Sequence, residues 1–199
     1  MQDTLHLAAP KPRMIAHRGA SGLETENTAS AFVAAGRLFV GREIRRVGET
    51  RPSDAVTKLS FGTYNRAFAP NRTAFDWVSA DRANVDTYIA DPLCGGNPSM
   101  GLFREMLSGI AFMTRPENLR KMNANTPIFF VSGSMDPVGE FGRGVRRACR
   151  SFQKAGMREV SIKLYPGLRH EILNEACREA VYADVCRWLE RHIPAAAAV

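Results

Sequence analysis

A chain of 199 residues, 45% of them hydrophobic, is long enough for one domain with a sizeable core. Its net charge of +7 permits weak attraction to anionic surfaces, yet no glycine-rich or aromatic nucleic-acid signature accompanies the arginines, so nucleic acid is not an expected partner. No apolar stretch approaches bilayer length, which leaves peripheral membrane contact at most.

Met1 to Arg13 contains no apolar run of the signal-peptide kind, and Cys94, Cys149, Cys177 and Cys186 form no C-x-x-C pair. Free thiols in a reducing, cytoplasmic setting are therefore expected, with no cofactor or metal. Met14, Ile15 and Ala16 make a short apolar step before a polar loop and an alanine-rich helix, which Thr28 or Asn27 could cap. From Gly36 to Gly48 the chain reads as a basic helix. Arg42, Arg45 and Arg46, like Arg143, Arg146, Arg147 and Arg150 later, are read as solvated helix faces.

Leu59–Phe68 reads as a loop with the aromatics Phe61, Tyr64 and Phe68. Asp76–Tyr88 reads as one helix or two short ones, and Asp91–Gly101 as turn material. Leu102, Met106, Leu107 and Ile110 recur at helical spacing in a segment that stops near Pro116.

The last third has the clearest pattern. Ile128-Phe129-Phe130-Val131 is a continuous apolar run, as a strand covered on both faces requires. Val145, Ala148, Phe152 and Ala155 form a helical stripe closed by Gly156. Val160, Ile162 and Leu164 alternate with Ser161 and Lys163, as in a half-covered strand near a sheet edge. Asn174 is the expected cap of a final helix with the stripe Cys177, Val181, Val185, Trp188 and Leu189. Strand, helix, strand, helix predicts a right-handed parallel βαβα unit.

Two loops follow these strands. Ser132-Gly133-Ser134-Met135-Asp136-Pro137-Val138-Gly139 carries a carboxylate, and Leu168-Arg169-His170-Glu171-Ile172-Leu173-Asn174-Glu175 carries an imidazole. In a parallel sheet both loops open on the same edge, where ligands bind. A loop histidine with a carboxylate on its second nitrogen has a fixed tautomer and can act as a base.

Five segments, in order, carry a resemblance: Leu59–Asn65, Asn71–Trp77, Ile89–Gly95, Asp136–Gly139 and Arg169–Glu175. From about Gly36 to His192 the chain resembles bacterial α/β-hydrolases of the lysophospholipase, monoacylglycerol-lipase and serine-aminopeptidase type. The resemblance implies a partial α/β-hydrolase fold: parallel strands with flanking helices plus a helical cap remnant. It implies hydrolysis of carboxylic esters, with a monoacyl glycerolipid or another small ester as substrate. Asp136 would orient the imidazole and His170 would be the general base.

The nucleophile of that family sits on a G-x-S-x-G elbow between a strand and a helix. Ser21, Ser99 and Ser134 have the wrong surroundings for it, and the pattern occurs nowhere in the chain. The expectation is a truncated hydrolase that is inactive alone and able to self-associate through an exposed sheet edge. A non-catalytic lipid-binding or scaffold protein is the alternative from another class.

A second echo lies at the start. Ile15-Ala16-His17-Arg18-Gly19-Ala20-Ser21-Gly22 and Glu26-Asn27-Thr28 resemble the opening of glycerophosphodiester phosphodiesterases, with His17, Arg18 and Glu26 at matching positions. The Glu-x-Asp pair and the later His-Asp of that family occur nowhere in this chain, so a working phosphodiesterase is not expected. The expected divisions are 1–35, of uncertain origin; 36–122, cap-like and helical; 123–193, the βαβα part; and 194–199, a flexible tail.

Overall fold

The computed structural model describes residues 29–192. In chain order its elements are α1 (Ala29–Val47), α2 (Asp54–Phe61), a 3-10 turn (Tyr64–Phe68), α3 (Arg82–Ala90), α4 (Met100–Met113), α5 (Pro116–Leu119), β1 (Ile128–Gly133), α6 (Arg143–Lys154), β2 (Val160–Tyr165) and α7 (Arg178–His192). They divide into two units that interleave along the chain.

The first unit holds α1, α2, α4 and α5. Its core is the cluster Val40, Val56, Met100 and Phe103, with Phe39, Ile44, Val47, Phe61 and Leu107 packed around it. Ser53 caps α2 by accepting from the Val56 amide at 3.4 Å, and Ser99 caps α4 by accepting from the Leu102 amide at 3.2 Å. Helix α2 is a correction to the sequence reading, which made Leu59–Phe68 a loop. Burial of Val56 and the Phe61–Phe103 ring contact, 6.2 Å between centroids, stabilise helical turns that local pattern alone does not announce. Glu43 is buried in this unit and accepts from the Ser53 hydroxyl at 2.6 Å and the Arg46 guanidinium at 2.7 Å.

The second unit contains the 3-10 turn, α3, both strands, α6 and α7. Strands β1 and β2 pair in parallel, with Ile128 opposite Val160 and Gly133 opposite Tyr165. Helix α6 makes the crossover, and Gly156, two residues past its last residue Lys154, has a φ of 99° that suits glycine. Successive β1 side chains point to opposite faces. Phe129 stacks on Trp188 of α7 at 5.4 Å, and Phe130 meets Phe152 of α6 edge-on at 5.4 Å. One strand is thus clad by helix on both sides, as its apolar run requires. Tyr165, Ile172 and Val181 form the buried cluster beside α7, joined by Val131 and Leu168.

Asn174 does not cap α7, which begins four residues later. Its side chain donates to Glu171 at 3.0 Å and its amide to the Glu171 carbonyl at 2.9 Å, so it closes a turn. The next residue, Glu175, is fully buried and committed to distant backbone donors, which delays the helix. The Asn27 or Thr28 cap lies outside the described residues.

Candidate active site

Asp136 sits three residues beyond the end of β1, and His170 five residues beyond β2. The structure brings them together. His170 Nδ1 lies 3.2 Å from Asp136 Oδ1. Asp136 is buried and His170 is half-open to solvent. The carboxylate is fixed from its own loop, since Oδ1 also accepts the Val138 amide at 2.9 Å. Because a carboxylate accepts, Nδ1 carries the proton in this pair and Nε2 is left with its lone pair. The hydrogen bond donated to Asp136 raises the His170 pKa above its ordinary 6.5, against the opposing effect of burial and with help from the Asp136 and Glu171 charges.

The two loops are stitched directly to each other. The Ser134 amide donates to the Tyr165 carbonyl and the Met135 amide to the Leu168 carbonyl, each at 2.9 Å. The Gly167 amide donates to Ser134 Oγ at 2.9 Å. Gly133 makes this crossing possible. A Cβ there would lie 2.2 Å from both the Leu168 and Arg169 carbonyl oxygens.

A second layer holds the histidine from behind. Trp77 is buried and its ring centroid lies 5.3 Å from that of the imidazole; the Tyr64 ring lies 5.1 Å from the Trp77 ring. The Glu171 amide donates to the Val78 carbonyl at 2.9 Å. Glu175 ties the whole loop to residues 79–81. Its carboxylate accepts the Ser79 hydroxyl at 2.7 Å, the Ala80 amide at 2.9 Å, the Asp81 amide at 3.1 Å and the Arg169 amide at 3.0 Å. Four donors on one buried carboxylate satisfy its lone pairs and leave little freedom to the segment it closes.

Sequence reasoning quoted Trp77, Arg169 and Glu175 inside motifs and gave them no role. No periodicity marks Glu175, because its partners are backbone amides rather than side chains of recognisable type. Gly133 was legible only as an interruption after an apolar run. His17, Arg18 and Glu26 lie outside the described residues.

Helices on both faces of parallel strands, with a carboxylate and an imidazole meeting at the strands' carboxyl ends, make up a partial α/β-hydrolase fold. Residues 24–177 match the family described as serine aminopeptidase, S33 (Hydrolase_4), and the chain belongs to that family. It is 31% identical over 122 residues to a monoacylglycerol lipase of Mycolicibacterium smegmatis, covering 59% of this chain and 40% of that protein. A thermostable carboxyl esterase from Bacillus coagulans, solved with glycerol, superposes with a TM-score of 0.71 at 22% identity. That match covers 79% of this chain and 52% of the esterase. A lipase in its open form gives a TM-score of 0.62 at 25% identity over 77% of this chain and 50% of its own. The chain therefore spans about half the length, or less, of the proteins it matches. These matches lend no support to the phosphodiesterase resemblance. Among the described residues no helix is long and apolar enough to cross a membrane.

Proposed function

We propose that this chain supplies the acid and base of a carboxylic-ester hydrolase acting on monoacyl glycerolipids. The observation that carries the reading is the Asp136–His170 pair at the ends of two adjacent parallel strands. His170 Nε2 would take the proton of an attacking hydroxyl, and Asp136 would hold the tautomer and balance the imidazolium that forms. The monoacylglycerol lipase relative supports the substrate class.

The pair does not complete a triad by itself. No G-x-S-x-G elbow occurs in the 199 residues, and among the described residues no side chain hydrogen-bonds to His170 Nε2. An elbow also supplies an oxyanion donor, so two contributions to catalysis are missing together. The 199-residue chain is accordingly proposed to be inactive alone.

The test is turnover of a short-chain aryl ester and of a monoacylglycerol by the purified chain and by His170→Ala. Equal, background-level turnover in both is expected. Turnover that disappears in the variant would overturn the inactivity and keep His170 as the base. Turnover that survives in the variant would overturn His170.

A further inference from the structure

Beside the segment that braces His170 lies a cleft of about 140 Å³ within the second unit. Three arginines are among the residues that line it, Arg72, Arg82 and Arg169, with one acidic residue, Asp76. Its remaining walls include Phe68 and Val85. A volume equal to roughly four or five waters admits a small headgroup and excludes a long acyl chain.

The charges in this cleft do not cancel. Asp76 is already saturated: it accepts the Arg72 amide at 2.7 Å, the Thr73 amide at 3.1 Å and the Thr73 hydroxyl at 2.6 Å. Arg72 pairs with Asp86 at 2.6 Å, outside the cleft lining. Arg169 makes no ion pair among the described residues. Its guanidinium donates to the Asp76 and Ser79 carbonyls and lies 4.0 Å from the centre of the Phe68 ring. Burial pushes its pKa down, partly offset by the Asp76 and Glu175 charges. A partly buried cation whose direct partners are neutral groups is under-compensated. Arg82, exposed at the first position of α3, has neither an ion pair nor a side-chain hydrogen bond among the described residues.

We infer that this cleft is a phosphate site, binding a tetrahedral oxyanion through Arg72, Arg82 and Arg169. Three arginines from separate segments around one cleft suit a group with several equivalent oxygens better than a carboxylate, which one guanidinium can satisfy. The inference does not depend on the ester-hydrolase reading, since the cleft lining does not include His170 or Asp136. The anion could come from free phosphate or from the headgroup of a phospho-glycerolipid.

Calorimetric titration of the full chain with inorganic phosphate, and separately with glycerol phosphate, tests it, in chloride buffer of matched ionic strength. Saturable binding is expected, weakened about tenfold in Arg82→Gln, which touches no structural partner, and unchanged in Arg178→Gln, an exposed arginine elsewhere on the unit. Thermal unfolding should shift upward with phosphate in the wild-type chain and much less in Arg82→Gln. Binding of glycerol phosphate at least tenfold tighter than phosphate would assign the headgroup source; equal binding would assign free phosphate. No saturable binding of either probe, or equal binding in wild type and Arg82→Gln, would overturn the site.

Discussion

The two units solve the same problem, burying a carboxylate, in opposite ways. In the helical unit Glu43 takes its hydrogen bonds from two side chains, Arg46 and Ser53, that are 3 and 10 residues away. In the strand-bearing unit Glu175 takes most of its hydrogen bonds from backbone amides, and the most distant donor is 96 residues away. The helical unit otherwise depends on an apolar cluster. The other unit buries Asp76, Ser79, Ser132, Asp136 and Glu175 as well as an apolar cluster. The difference teaches where precision is needed. Apolar packing tolerates adjustment, whereas a histidine that must meet a carboxylate at hydrogen-bond distance is positioned by directional donors.

The sharpest break of the comparison is in the apolar unit. Met100 is fully buried in the four-residue cluster, and Met100→Ala should cost about 2–5 kcal/mol in urea unfolding. The His170 imidazole titration followed by NMR should be unchanged in that variant. If it moved, the two units would not be energetically separate.

Next comes Glu175→Gln, which keeps shape and removes charge. It places an amide NH₂ among donors, and should cost roughly 2–3 kcal/mol. It should also loosen His170, seen as line broadening of its imidazole protons. A loss of stability without any change at His170 would show that the clamp does not position the histidine.

The Asp136–His170 pair makes a prediction in pH. Its folded pKa is raised, so the stability it contributes is fully present below about pH 6.5 and is lost as pH rises through the higher folded value. Asp136→Asn should lower the His170 pKa and abolish that part of the pH dependence. An unmoved titration would show that Asp136 does not hold the imidazole. Smallest of all, Arg147→Met removes an exposed ion pair with Glu140 and should change stability by less than about 1 kcal/mol.

What the sequence made legible follows from the same contrast. Strand β1, helix α6, strand β2 and the stripe of α7 announce themselves through hydrophobic period, and their two terminal loops carry Asp136 and His170. Periodicity says nothing about a backbone amide, so Glu175 and its donors at 79–81 were invisible. The late start of α7 was missed for that reason, since Glu175 is held by the Arg169, Ala80 and Asp81 amides and Asn174 closes a turn on Glu171 before the helix begins. Helix α2 was missed because its stability comes from rings and aliphatic chains brought in by α4.

The reach of Glu175 also bears on the order of events as the chain folds. Strands β1 and β2 need only close a short crossover, with His170 and Asp136 34 residues apart. The Glu175 clamp must wait for a contact across 96 residues. Closing the longer loop costs more chain entropy, so the clamp belongs to the downhill side of the folding barrier. Interactions absent from the transition state govern how fast a native chain comes apart. Glu175 therefore acts as a latch in time as well as in space: its loss should leave refolding nearly as fast and make unfolding markedly quicker.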